Sequence, residues 1–142
     1  MAAALELAEV AAAKDEVPVG AVVVLDGSIV GEGHNNSVAA HDATAHAEIN
    51  ALRDAGQKTG NYRLSGGTLY VTLEPCIMCA GAILNARIDR LVYGTRDERF
   101  GSAGSQLNLL ESPFLNHRCK IESGIMETES RSLLTEFFKA RR

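Results

Sequence analysis

Two short motifs constrain this chain more than anything else in it: His46-Ala47-Glu48 and, thirty positions after the histidine, Pro75-Cys76-Ile77-Met78-Cys79. Together they offer one imidazole, two thiols and one carboxylate, a donor set suited to zinc. Three ligands rather than four would leave the last tetrahedral position to solvent, which distinguishes a water-activating centre from a structural clip.

Both motifs fall where the local sequence starts a helix. Ala2 to Lys14 is rich in Ala, Leu and Glu and predicts a first helix, ended by Pro18. Val19 to Leu25 is an almost continuous apolar, β-branched run, and Asp26-Gly27 turns it into Ser28 to Gly33, a hairpin whose first strand is expected to be buried on both faces. A polar loop follows, then a helix from about Ala45 to Ala55 closed by Gly56. Thr68 to Leu73 reads as a third strand, with Pro75 suited to the first turn of a helix over Cys76 to Ala86. Arg90 to Gly94 reads as a fourth strand. Arg96 to Ser105 is a charged, glycine-punctuated loop of the kind that carries function. Cys119 to Glu122 suits a fifth short strand, and Leu133, Leu134, Phe137 and Phe138 give one face of a last helix over Glu127 to Ala140. The order α-β-β-α-β-α-β-β-α predicts an α/β layered sandwich around a mixed sheet.

The spacing within each motif bears on chemistry. Cys76 and Cys79 stand i, i+3 at a helix start, so their sulfurs share a face, and the positive end of the helix favours the thiolates that bind metal. His46 and Glu48, two apart, reach one ion only from the first turn of their helix. A neutral imidazole and two thiolates cancel the charge of a divalent ion, and zinc lowers the pKa of water from about 15.7 towards about 7. Glu48 is then suited to take the proton of that water and hand it to a nitrogen leaving group. The competing reading is a structural site completed by Cys119, His34, His41 or His117. A redox Cys-x-x-Cys fits less well, because it has no use for the His-x-Glu companion.

A length of 142 residues at 46% hydrophobic content suits one domain spanning 1–142. No run approaches the roughly 18 apolar residues of a membrane helix, and Glu6 and Glu9 interrupt any signal-peptide core, so a soluble, cytoplasmic protein is expected. Three cysteines, two of them in the motif, point to metal chemistry, with Cys119 a bystander. The net charge of -4 argues against a nucleic-acid partner, but its distribution softens that objection. Residues 1–60 hold three bases against nine acids, and residues 61–142 eleven against nine. The C-terminal Phe137-Phe138-Lys139-Ala140-Arg141-Arg142 suits base stacking and phosphate contact, although a solvated helix end has the same composition.

The combination of His46-x-Glu48 with Pro75-Cys76-x-x-Cys79 is the known signature of zinc deaminases, and the chain resembles the cytidine and deoxycytidylate deaminase superfamily. Within it, Val17 to Val22, Gly31 to Gly33, His41 to Ile49, Asn61 to Leu64, Thr68 to Cys76, Arg96-Asp97, Gly101 to Ser105, His117-Arg118 and Phe137-Phe138 look like the bacterial tRNA-specific adenosine deaminases. That resemblance implies a three-layer α/β/α cytidine-deaminase-like sandwich around a five-stranded mixed sheet. It also implies a homodimer that converts adenosine to inosine at the wobble position of an arginine tRNA anticodon. His46, Cys76 and Cys79 would bind one zinc ion per subunit, with Glu48 as the proton shuttle. Asn35, Ala47, Asp97, Phe137 and Phe138 would contact the anticodon stem-loop. An amide at Asn35 suits a base edge because it offers donor and acceptor, whereas Asp97 beside phosphate must turn to sugar or base. Two alternatives stand beside this reading: a deaminase of a free base or nucleotide of guanine or cytosine type, and a zinc-stabilised binding module without chemistry.

Overall fold

The computed structural model describes residues 1–142. Its elements are α1 (Ala2–Ala13), β1 (Gly20–Leu25), β2 (Ser28–His34), α2 (Ser37–Ala40), α3 (Ala47–Thr59), β3 (Thr68–Leu73), α4 (Ile77–Asn85), β4 (Arg90–Thr95), β5 (Lys120–Ser123) and α5 (Glu127–Lys139). The five strands form one mixed sheet in the order β2-β1-β3-β4-β5. β1 pairs antiparallel with both β2 and β3, and β3-β4 and β4-β5 are parallel. β1 lies inside the sheet, and Gly20, Ala21, Val22 and Val23 are all buried, which accounts for its unbroken apolar run. The outer strand β5 is short and presents Lys120 and Glu122, charges that discourage pairing with another chain.

α1 and α5 cover one face of the sheet, and α3 and α4 the other, which is the three-layer α/β/α sandwich expected. No helix is long and apolar enough to cross a membrane. The core on the α3–α4 side joins Ala21 and Val23 of β1, Leu69 and Val71 of β3, Leu91 and Tyr93 of β4, and Ile83 of α4.

α3 lies unusually close to the sheet because both surfaces are small. Ala47, Ala51 and Ala55 recur every four residues along its buried face, all fully shielded from solvent. Opposite them, a Cβ on Gly31 would stand 2.3 Å from the Ala51 carbonyl oxygen, and one on Gly33 2.4 Å from that of Ala47. Only hydrogen side chains on β2 permit that approach, and it sets where α3 starts.

Three local boundaries differ from expectation. α3 does not end at Gly56 but runs a further turn to Thr59, capped by Gly60 in the left-handed region (φ 68°). The Asp54–Lys58 pair, 2.8 Å apart and four residues along the helix, carries the helix past Gly56. His46 and Cys76 are not helical: each has extended backbone and sits at the N-cap of α3 and α4 respectively. α2 was not expected at all. Its first amides, Val38 and Ala39, donate to the buried Glu16 carboxylate from more than twenty residues away, a long-range cap with no local signal.

Candidate active site

The N-termini of α3 and α4 meet at one point. His46 Nδ1 lies 3.6 Å from Cys76 Sγ and 3.5 Å from Cys79 Sγ. An ion held tetrahedrally at about 2.3 Å by sulfur and about 2.0 Å by nitrogen keeps those atoms roughly 3.5 Å apart. The donor set therefore has both the chemistry and the spacing of a metal centre. No fourth His, Cys, Asp or Glu joins the three, whose ligand atoms all lie within 4.8 Å of one another. None of Cys119, His34, His41 and His117 joins the group, and three of them are engaged elsewhere. His117 Nε2 is 2.7 Å from the Ile88 carbonyl, His34 Nδ1 is 2.9 Å from that of Asn35, and burial pushes the Cys119 thiol up to about 12.

Electrostatics at the convergence favour a cation. The hydrogen bond from Cys79, aided by His46, holds the Cys76 thiol far below its ordinary range, at about 4. The same hydrogen bond to Cys76, and then burial, push Cys79 up, so the two sulfurs share one proton. The contact with Cys76 raises the His46 imidazole. Cys76 and Cys79 would both be thiolates with a divalent ion bound, which would take the place of the shared proton. Glu48, in the first turn of α3 and only 4% exposed, is raised by burial to about 7. A carboxyl poised near neutrality is suited to accept and return a proton.

His46, Cys76 and Glu48 open on a cavity of about 390 Å³, with Cys79 buried behind them. Asn35, His46, Glu48, Cys76 and Asp97 supply its polar wall, and Val17, Val19, Leu73 and Phe100 much of its apolar wall. The Asn35 side-chain oxygen accepts from the Ala47 amide at 2.8 Å. That bond identifies the oxygen and leaves the NH2 as the donor for the cavity. Ala47 itself is fully buried, and its amide is committed to Asn35, so Ala47 serves the site by holding Asn35. Asp97 lines the cavity while its Oδ1 accepts from the amides of Arg99 and Phe100 at 3.0 and 3.1 Å, so its carboxylate also builds the loop turn.

A second hollow of about 400 Å³ continues from the first, sharing Val17, Leu73, Asp97 and Phe100, and is bounded by Arg96, Arg99, Leu134 and Phe138. The two terminal phenylalanines divide here. Phe138 is 48% exposed and walls this trough, whereas Phe137 is 9% exposed and packs edge-on against it. The Arg141 guanidinium lies 3.4 Å from the Phe137 ring centroid and pairs with Asp15 at 2.6 Å. Phe137 and Arg141 thus clasp α5 to the end of α1 rather than face the trough. The sequence reading missed Phe100, whose ring is 65% exposed at the junction of the two hollows with Arg99 alongside it. An aromatic beside a base in a charged loop was the available signal. It also missed Glu74, which lies directly before the Pro75-Cys76 motif and lines the cavity.

The model of the MafB19-like deaminase family matches residues 1–142. The chain belongs to this deaminase family. The deaminase is 51% identical to the tRNA-specific adenosine deaminase of Haemophilus influenzae over 98% of its own length and 81% of the relative's. It is 41% identical to that of Bacillus subtilis, covering all of this chain and 88% of the relative. Among solved structures, the deaminase superposes with a TM-score of 0.91 and 46% identity on one from a study of A-to-I editing by tRNA:A34 deaminases at the wobble position of transfer RNA, covering 94% of this chain and 97% of the other. A guanine deaminase from Nitrosomonas europaea gives a TM-score of 0.81 at 26% identity, covering 94% and 80%.

Proposed function

We propose that this deaminase hydrolyses adenosine to inosine at the wobble position of an arginine tRNA anticodon, acting in the cytoplasm as a homodimer of zinc-dependent domains, each spanning 1–142. The observation that carries the chemistry is a buried carboxyl, Glu48, lining one cavity with His46 and Cys76, beside a three-donor set that no fourth His, Cys, Asp or Glu joins. His46, Cys76 and Cys79 would hold one zinc ion, which when bound supplies the acidification of a water molecule. Glu48 takes the proton of the attacking water and passes it to N1 as a C–O bond forms at C6 and the C6=N1 double bond becomes single. The proton of the new hydroxyl then passes through Glu48 to the amino group, its bond to C6 breaks as the C6 carbonyl forms, and ammonia departs. Asn35 presents its NH2 to an acceptor on the base, held in position by the Ala47 amide.

The RNA reading draws on the trough beside the cavity. A base to be deaminated has to leave its stack and enter the pocket, and its neighbours then need surfaces to lie on. Phe100 and Phe138 offer exposed rings there, with Arg96 and Arg99 available to phosphate, so the basic and aromatic groups are local even though the chain is acidic overall. Asp97, between the two hollows, faces sugar or base. The homodimer in this reading rests on the resemblance to the bacterial tRNA-specific adenosine deaminases.

A second reading, deamination of a free purine, is favoured by the likeness to a guanine deaminase. Ammonia release from an arginine-anticodon stem-loop and from free adenosine, adenine and guanine separates the two. Turnover of the stem-loop with inosine at the wobble position is the expected result; turnover confined to free bases or nucleosides rejects the RNA substrate.

A further inference from the structure

Glu74 connects the strand end that carries Cys76 to the loop that walls the cavity. It follows β3 directly and is 2% exposed, yet it forms no ion pair. One carboxylate oxygen accepts from the Asp97 amide at 3.0 Å and from the Ser105 hydroxyl. The other accepts from the amides of Ala103 at 3.0 Å and Ser105 at 2.9 Å. A carboxylate has about four acceptor sites, and here all of them are taken by loop groups. That leaves no free lone pair for a metal or a substrate proton. Hydrogen bonds within the loop turn it locally, the Arg99 and Phe100 amides on Asp97 Oδ1 and the Gly101 amide on the Asp97 carbonyl among them, whereas its ties to the segment joining β3 and α4 are those to Glu74 and the Ser102 amide donating to the Pro75 carbonyl at 2.8 Å. Gly101 packs directly on the carboxylate, where a Cβ would stand 2.4 Å from Glu74 Cδ.

We infer that Glu74 is a positioning residue: its buried carboxylate pins the loop bearing Asp97 and Phe100 and thereby sets the substrate-facing wall of the cavity. Hydrogen bonds to an ionised acceptor are the strong ones, and four of them converge on one group two residues from a metal ligand. The metal centre and the substrate wall are therefore held in register by a single short stretch of backbone, Glu74 to Cys76. Removing the clamp releases the wall without touching His46, Cys76 or Cys79.

The test uses the zinc-loaded protein. Glu74→Gln keeps the shape but places a donor against donors, and Ser105→Ala, a milder change, removes the hydroxyl alone and serves if the first variant does not fold. Zinc content is expected to stay at one per chain in both. Amide exchange at Asp97 and Ala103 is expected to quicken by about tenfold or more in Glu74→Gln, and by less in Ser105→Ala. KM for the anticodon stem-loop should rise by more than kcat falls. Unchanged exchange at both amides, loss of zinc from Ser105→Ala, or a fall in kcat at constant KM overturns the inference. Only the kinetic arm rests on the proposed RNA substrate. Inactivity of the wild type on the stem-loop rejects that substrate, while the exchange arm still judges the clamp.

Discussion

The Ala47 amide donates to the Asn35 side-chain oxygen at 2.8 Å, so a residue twelve positions away caps α3 and at the same time faces the cavity. The two halves of one amide group have separate duties, and substitution can divide them. Asn35→Asp keeps an acceptor for the Ala47 amide but removes the donor directed at substrate. Its melting temperature should stay near that of the wild type while kcat/KM falls by about tenfold or more. Asn35→Ala should lose the same activity and, in addition, about 1 kcal/mol of stability from the missing cap. Equal activity in wild type and Asn35→Asp would show that the amide has no part in recognition.

Glu48 and Cys119 test catalysis against coordination. Glu48→Ala should retain metal and lose turnover by roughly a hundredfold to ten-thousandfold, the range for removal of a general acid-base group. Cys119→Ser should keep both metal and activity, since its sulfur lies in the core against the Lys120 carbonyl and outside the ligand set. Elemental analysis beside an ammonia-release assay reads both properties, and loss of metal from Cys119→Ser would point to a four-ligand structural site.

The buried Glu48 carboxyl also makes the metal-free fold depend on pH. Its value rises from an ordinary 4.5 to about 7 in the folded state, so over that interval the folded chain binds more protons than the unfolded one. The stability it contributes is therefore complete below about pH 4.5 and is lost as the pH rises through 7. Glu48→Gln, which cannot ionise, should be the more stable protein at pH 8 by on the order of 3 kcal/mol, with the advantage shrinking towards pH 4. Urea unfolding of the metal-stripped proteins at several pH values measures it. An advantage independent of pH would mean that ionisation of Glu48 is not its source.

The terminal phenylalanines should separate binding from stability. Phe138→Ala, at an exposed ring, should weaken stem-loop binding by about fivefold to a hundredfold, stacking being worth about 1–3 kcal/mol per base, with little change in unfolding. Phe137→Ala should cost about 3 kcal/mol of stability, because that ring is enclosed between Arg141 and the α5 packing face. Thermal unfolding and a fluorescence binding titration check the pair together, and reversed effects would place Phe137 on the RNA side.

What could be read from the residues in order was whatever depends on near neighbours. The β-branched run at Val22 to Val24, the i, i+3 thiols at Cys76 and Cys79, and the apolar face of α5 each state their structure within a few positions. So did the ligand set, because imidazole and thiols at helix starts have few other uses. The end of α3 was misplaced since Gly56 and Gly60 are equally good local stops, and the Asp54–Lys58 pair helped carry the helix past the first.

Residue order by itself determined every element but the short α2, the layered architecture and the metal-binding donor set, through periodicity and donor type. Tertiary structure alone decided that Asn35 caps a distant helix, that Phe137 is enclosed while Phe138 is open, and that Glu74 holds the loop from Asp97 to Ser105. The physical reason is the same in each case. A hydrogen bond or contact closed across twelve, thirty or a hundred residues leaves no mark on the local pattern, and forms only when the sheet has brought its two ends together.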